Sequence, residues 1–271
     1  MLIANTYKAN HYLSFEFYIK YCIIDTIILN NFQKNKRNDI IMELFRYETH
    51  LHTYEASACG QVSAKEQVSR YKEAGYAGII VTDHFFNGNT TVPSHLPWDK
   101  RISLFTEGYE NAKEEGDKVG LSVFFGFETC HDGMDFLIYG IDKQWLLDHP
   151  EIMSWNVKEQ YKYVKEAGGM VIHAHPFRER FYIKKIRLFP DDVDGVEVIN
   201  IGNDNKTFDD RAEEYAIKHN LLMSAGTDSH GQEIRRSGVA FNHKLKDIKD
   251  FIDSIKANEQ QLIRPWYIEE R

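Results

Sequence analysis

From Met42 onward the chain alternates short apolar runs with amphipathic stretches, and this rhythm constrains the fold more than any other feature. The apolar runs are "LFRYETH", "AGIIVTDH", "LSVFFGFE", "DFLIYGI", "GMVIHAHP", "GVEVIN", "LLMSAGTDSH" and "SGVAF". Between them, "SAKEQVSRYKEAG" opens on a serine cap with Glu66 three residues on and closes at Gly75, so both ends of a helix are marked. "TEGYENAKEEGDKVG", "NVKEQYKYVKEAGG", "TFDDRAEEYAIKHN" and the closing "KLKDIKDFIDSIKAN" read as helices by the same logic. Strands alternating with helices predict a parallel α/β fold, and 271 residues is a common size for a single α/β barrel. No internal repeat or linker divides the chain, so 42–271 is expected to be one domain, with "NGNTTVPSHLPWDKR" as a lid or rim loop.

Residues 1–41 have a different character. "YLSFEFYIKYCIIDTIILNNFQKNKRND" is rich in Ile, Tyr, Phe, Asn and Lys, holds no glycine and shows no clean period. It lacks the basic start and small-residue cleavage site of a signal peptide, and Glu16, Lys20 and Asp25 interrupt it as a membrane span. We read it as an accessory helix or a translational extension upstream of a functional domain that starts near Met42, and expect no membrane association. A chain beginning at Met42 is expected to fold and keep its activity; loss of cooperative thermal unfolding in that shortened chain would remove the reading.

Composition excludes some function classes. A formal charge of −8 argues against a stable nucleic-acid partner, because phosphate backbones need clustered Lys and Arg. Cys22, Cys59 and Cys130 are too few and too scattered for a disulfide framework, which suits a reducing cytoplasm. Cys59 and Cys130 lie near histidine-bearing segments where a thiolate can ligate zinc, although a small buried hydrophobe is the commoner role.

The polar residues fall where they matter. His50 and His52 sit one residue apart on the first strand and would point to one face. Later runs end in His84, Glu128, His175, and finally Asp228 and His230. Each alone is ambiguous, since a strand histidine is often simply buried and Asp-His also makes turns. In a parallel barrel, however, the carboxyl ends of all strands face one mouth, so these residues converge. Imidazole and carboxylate are the ligands of zinc, iron and manganese hydrolase sites. Glu128, a carboxylate closing an apolar strand, needs a partner to offset its desolvation and is suited to bridge two cations.

The ordered set "THLHT", "TDH", "GFE", "HAHP" and "GTDSH" resembles the polymerase-and-histidinol-phosphatase (PHP) superfamily over roughly residues 44–241. The resemblance implies a distorted (β/α)7 TIM-like barrel, two or three divalent metal ions (Zn, Mn or Fe) at its mouth, and phosphoesterase activity. It implies that His50, His52, Glu128 and Asp228 ligate one cation, Glu128 and His175 a second, and His84 and His230 a third. Several members place a further His or Asp soon after the H-x-H, where this chain offers only Glu55, Ser57 or Cys59. Another histidine often follows the Glu motif, where this chain has Asp135 with His131 just upstream. His173 would share a side with His175 in a regular strand and support the ligands from behind.

This ligand set implies hydrolysis of a small phosphate ester by a metal-activated hydroxide. Asp228, His230 and Arg178 are the leading catalytic candidates, Arg178 because it follows His175 by three residues. Arg178, Arg180, Arg235 and Arg236 lie in loops where a guanidinium can grip two phosphate oxygens. His95, in the long loop, is a candidate proton donor; His11, His149, His219 and His243 read as surface residues. A phosphomonoester such as histidinol phosphate or a nucleotide, a sugar phosphate and a phosphotyrosine all remain open. Two rival readings stand beside this one. An amidohydrolase-type barrel also begins with H-x-H and ends with an aspartate, but requires neither "TDH" nor a histidine two residues after that aspartate. A non-catalytic metal-binding regulatory module is the other.

Overall fold

The first apolar run forms β1 (Phe45–Leu51) of a nine-stranded sheet in the computed structural model, which describes residues 43–181, 183–231 and 233–264. In chain order there follow α1 (Ala64–Glu73), β2 (Gly78–Val81), α2 (Trp98–Phe105), α3 (Glu107–Val119) and β3 (Ser122–His131). Next come β4 (Met134–Tyr139), α4 (Lys143–Asp148), α5 (Val157–Glu166), β5 (Met170–His173) and β6 (Gly195–Asn200). The series ends with α6 (Lys206–His219), β7 (Leu222–Gly226), β8 (Gly238–Phe241), α7 (Ile248–Lys256) and β9 (Gln261–Ile263). The expected extension 1–41 lies outside the described residues. Among the described residues no helix is long and apolar enough to cross a membrane.

The helix ends follow the chemistry of their caps. Ser63 accepts from the Glu66 amide at the start of α1, and Asn156 and Glu159 form a reciprocal box at the start of α5. Gly120 and Asn220 end α3 and α6 in the left-handed region, which glycine and asparagine tolerate best. The loop expected over "NGNTTVPSHLPWDKR" is shorter than the sequence suggests, because Pro97 caps α2, which starts at Trp98.

The sheet order is β7-β6-β5-β4-β3-β2-β1-β8-β9, and past β7 the chain returns to β1. There Leu51 bridges Ser229 in parallel, with His52 N donating to Ser229 O at 3.0 Å, so the sheet nearly closes into a TIM-like barrel. The barrel is not purely parallel as the alternation predicts. β4 is antiparallel to both β3 and β5, and β8 is antiparallel to β1 and β9. The β3–β4 connection is the two-residue Asp132–Gly133 loop, both with positive φ (53° and 84°), as a type I′ hairpin turn demands. Among the described residues the strands number nine where the family pattern implies seven. β1, β2, β3, β5, β6 and β7 still point one way, so their carboxyl ends share a rim. The reversed β4 presents its beginning, not its end, at that rim.

Amphipathic helices cover the outside. Phe208, Ala212, Tyr215 and Ala216 of α6 pack on Val196 and Val198 of β6. Val68 and Tyr71 of α1 pack on Ile79 and Val81 of β2. Each large apolar side chain buried this way contributes about 1.5–3 kcal/mol. Beneath the rim, Glu48 of β1 is wholly buried. Its Oε1 accepts from the backbone N–H of Thr49 (3.0 Å), His50 (2.9 Å) and Thr227 (3.0 Å). Its Oε2 accepts from Tyr71 Oη (3.1 Å) and Thr227 Oγ1 (2.8 Å). Burial pushes the Glu48 carboxyl up to about 7. One carboxylate thus joins β1 to the segment after β7 where the barrel closes.

Candidate metal centre

The seven ligand-type residues expected at the strand ends do meet. His50 Nε2 lies 3.1 Å from His52 Nε2, 3.3 Å from Glu128 Oε1 and 3.4 Å from Asp228 Oδ1. His52 Nε2 is 3.1 Å from Asp228 Oδ1 and 3.5 Å from Glu128 Oε2. His175 Nε2 is 3.3 Å from Glu128 Oε1, and His84 Nδ1 is 2.8 Å from Glu128 Oε2. His230 stacks on His52 with ring centroids 4.3 Å apart. Asp135 joins them, its Oδ2 3.9 Å from His175 Nε2, because β4 begins at the rim. Two donors about 2.1 Å from one tetrahedral cation sit ~3.4 Å apart, so these separations suit side chains that share a cation.

Four ligand triads can be drawn: His50–His52–Glu128, His50–His175–Asp228, Glu128–Asp135–His175 and His52–His84–His230. The tautomers are dictated by what stands behind the rings. Ser57 Oγ spends its single proton on Asp83 Oδ1 at 2.6 Å, so His52 Nδ1, 3.2 Å away, must be the donor to Ser57. His50 Nδ1 donates to Glu197 Oε1 at 3.0 Å. Both Nε2 atoms therefore turn toward the centre, and their 3.1 Å contact is tenable only with a proton or a cation between them. Burial together with the charges of His230 and His84 holds His52 well below the ordinary imidazole range. His50 is raised against its burial by Glu197, Asp228 and Glu128.

Glu128 supplies the sharper test. It is 1 % exposed, and neither carboxylate oxygen accepts a well-formed hydrogen bond. A buried anion without donors costs several kcal/mol unless countercharge is close. Burial raises its carboxyl, but the charges of His50 and His84 hold it well below the usual range. Hard oxygen at the centre of an imidazole ring-fence fits a divalent cation.

A second layer fixes these ligands. Glu197 of β6 accepts from His50 Nδ1, from His175 N (3.1 Å) and from Asn200 Nδ2 (2.7 Å). Asp83, the aspartate of "TDH", accepts from Thr53 N (2.6 Å), Thr53 Oγ1 (2.7 Å) and Ser57 Oγ. Arg178 is held from several sides: Nη1 meets Asp228 Oδ2 at 2.6 Å, Nε donates to Asn203 and Nη2 to Asn200, each at 2.9 Å. Burial raises the Asp228 carboxyl, but Arg178 first and His50 next keep it well below the ordinary range. His175 (φ 29°) and Asp228 (φ 53°) both occupy left-handed backbone, a strain that recurs where a side chain must be aimed. That turn takes His175 two residues past β5, so His173 does not share its side. His173 stacks on Phe136 at 4.8 Å inside an apolar cluster, and burial lowers its imidazole to about 3.

The remaining expected residues divide. Arg235 is exposed at the rim, bonded to Ile201 O (3.1 Å) and Asp204, and lines a hollow beside Asp228 and His230. Arg236 is exposed and its charge falls on Tyr76. Arg180 is exposed and donates to Gly202 O at 3.2 Å. His95 is exposed on its loop, and His131 pairs with Gln160 at 3.0 Å. His149 meets Glu151 at 2.8 Å, His243 lies on Phe241, and His11 is outside the described residues. Cys59 lines the cavity at the site, and His230 and His84 bring its thiol down to about 6 against its burial. Glu197, Asp83 and Asn200 were not singled out by sequence; a lone carboxylate inside the apolar "GVEVIN" was the available signal. Above the ligands opens a cavity of about 620 Å³, lined in part by Cys59, Asn87, Asn89, Asp135, Arg178 and His230. That volume suits a small molecule.

No family model matches the chain, and no curated protein matches it in sequence. Solved structures do match in fold. A two-domain protein from Bacteroides vulgatus, described as containing a predicted PHP-like metal-dependent phosphoesterase, is 15% identical with a TM-score of 0.62 over 82% of this chain. The match spans 65% of that protein's length. An amidohydrolase from Chromobacterium violaceum is 16% identical, with a TM-score of 0.50, over 83% of this chain and 100% of its own. PsfC from Pseudomonas syringae is 15% identical, with a TM-score of 0.50, over 73% of this chain and 82% of its own. Barrel and structural likeness agree: the chain has the fold seen in a predicted PHP-like phosphoesterase.

Proposed function

We propose that this chain is a metal-dependent hydrolase, and specifically a phosphoesterase acting on a small phosphate ester. The observation that carries it is Glu128, a buried carboxylate with no well-formed hydrogen bond among His50, His52, His84 and His175. The residues that would hold cations are His50, His52, Glu128, Asp228, His175, His84 and His230, with Asp135 added by the reversed strand. Bound there, divalent cations supply Lewis acidity, lowering the pKa of water toward neutrality and offsetting charge on phosphoryl oxygens. The chain's own residues orient and exclude. Glu197 and the Asp83–Ser57 pair fix which imidazole nitrogens face the cavity. Arg178 fixes Asp228, so its role here is to position a ligand. Arg235, at the rim, is placed to meet the anionic end of a substrate.

The test is a panel of nitrophenyl phosphate mono- and diesters, with zinc, manganese or iron(II) added to the purified chain. Turnover that a chelator removes by more than about a hundredfold, and the metal restores, is the expected result. A folded, metallated protein inert to phosphate esters but active on an amide or lactone would move the assignment to the amidohydrolase type. Inertness to every ester, amide and lactone would leave a metal-binding module.

A further inference from the structure

Asn87 lines the cavity above the ligands, and no cation accounts for it there. Past the end of β2 the parallel ladder to β3 runs on: Glu128 N donates to Asp83 O at 3.0 Å, and Phe85 N to Glu128 O at 2.7 Å. The next rung of such a ladder would join Cys130 N to Phe85 O. Phe85 O instead accepts from Gly88 N at 2.8 Å, closing a turn, and Cys130 N donates to Asn87 Oδ1 at 3.2 Å. A backbone N–H can only donate, so the amide is oriented by chemistry, with its oxygen on Cys130 and its Nδ2 turned elsewhere. Among the described residues no acceptor meets that Nδ2. The turn is anchored, because Ala58 N donates to Asn89 O at 2.8 Å and Thr91 N to Ala56 O at 2.9 Å. Glu128 and Cys130 are alternate residues of β3 and both line the cavity. The Asn87 amide therefore stands one strand repeat, about 7 Å, beyond the carboxylate at the centre of the ligands.

We infer that Asn87 is a substrate-binding residue whose amide N–H2 donates to an oxygen of the leaving group, and that the ester taken here is the monoester of a sugar or polyol rather than a nucleotide. The inference rests on the phosphoesterase reading above and names its substrate class. With the phosphoryl group at the strand-end ligands, the alcohol half of the ester falls against the part of the cavity that Asn87 lines. Gln61 and Asn89 line the same cavity, so three carboxamides, each with donors and an acceptor, are offered to that half. Hydroxyl groups both donate and accept, and they match such a lining. A nucleobase is held by stacking on aromatic or apolar side chains. Among the described residues of the lining there is no Phe, Tyr, Trp, Leu, Ile or Val to supply that face.

The full-length chain, loaded with the metal that supports nitrophenyl phosphate turnover, is assayed on glucose phosphate, glycerol phosphate and adenosine monophosphate. Both polyol esters are expected to exceed the nucleotide in kcat/KM by at least about tenfold. In N87A the ratio of kcat/KM for glucose phosphate to that for nitrophenyl phosphate should fall about tenfold. Calorimetry reads the same contact without turnover: a glucose phosphonate, which cannot be hydrolysed, should lose about tenfold in affinity for N87A relative to inorganic phosphate. N87D keeps an oxygen for the Cys130 N–H, and with it the end of the ladder, while removing the donor. Its charge opposes every phosphate alike, so its ratios should fall as well, which a purely structural Asn87 would not produce. Ratios that hold in both variants, whatever their melting temperatures, overturn Asn87 as a substrate-binding residue. A wild type that prefers adenosine monophosphate to the polyol esters overturns the substrate class. Either result leaves the phosphoesterase reading standing, whereas inertness of the wild type toward every phosphate ester removes that reading and this inference with it.

Discussion

Glu128→Gln is expected to strip the protein of its cations and lower ester hydrolysis by more than about a thousandfold, a larger loss than deleting a single electrostatic donor. The amide keeps the shape of the side chain but removes the charge, and its N–H2 would face nitrogen lone pairs that now face oxygen. Glu128 meets His50, His175 and His84 at 2.8–3.3 Å, and among the described residues no other carboxylate reaches all three. Zinc should raise the melting temperature of the wild type and have no effect on the variant; at a concentration of 1,000 Kd one site adds about 4 kcal/mol. Metal content, melting curves with and without zinc, and turnover form one experiment. A variant that keeps its metal would show that Glu128 is a structural residue.

That residue was legible in sequence because an apolar strand does not end in a carboxylate without a reason. The same holds for His50, His52, His84, His175, Asp228 and His230: each closes a run whose period marks it as a strand, and parallel strands bring their ends together. What escaped was whatever depends on strand direction or on a partner's side chain. "DFLIYGI" is equally apolar read either way, so its reversal, and with it the arrival of Asp135 at the rim, was hidden. The Asp132–Gly133 pair between β3 and β4 was the available clue, because consecutive positive φ angles favour this dipeptide in a hairpin.

Arg178 shows the complementary limit. Three residues from His175, it reads as a phosphate grip; it lines the cavity, and its hold on Asn200, Asn203 and Asp228 comes from segments that sequence does not place beside it. The strain at His175 is of the same kind. Alternation puts His173 and His175 on one side, and only the left-handed backbone at His175 separates them. Sequence thus finds candidate ligands, which must be of a given type at a given strand end. It loses the residues that hold them, because many types can do that from many positions.

Glu48 lies on that second list, and the largest stability effect is expected there. Glu48→Ala leaves the N–H groups of Thr49, His50 and Thr227 buried with no acceptor, and two hydroxyls without their carboxylate. An unsatisfied buried donor costs about 1–3 kcal/mol, and the void adds more, so a loss exceeding ~4 kcal/mol follows. That is a large part of the 5–15 kcal/mol typical of a folded domain. Glu48→Gln should cost no more than about 1 kcal/mol: its amide oxygen can accept the three N–H groups, while its N–H2 can donate to Tyr71 Oη and Thr227 Oγ1, either of which can reverse its role. The pair isolates acceptor loss from charge loss. Since the N–H groups involved belong to His50 and to the residue before Asp228, the alanine variant should also bind zinc poorly, whereas the glutamine variant should bind it as wild type does. Urea unfolding and zinc titration of both variants decide it; an alanine variant as stable as wild type would mean that the barrel seam closes without this carboxylate.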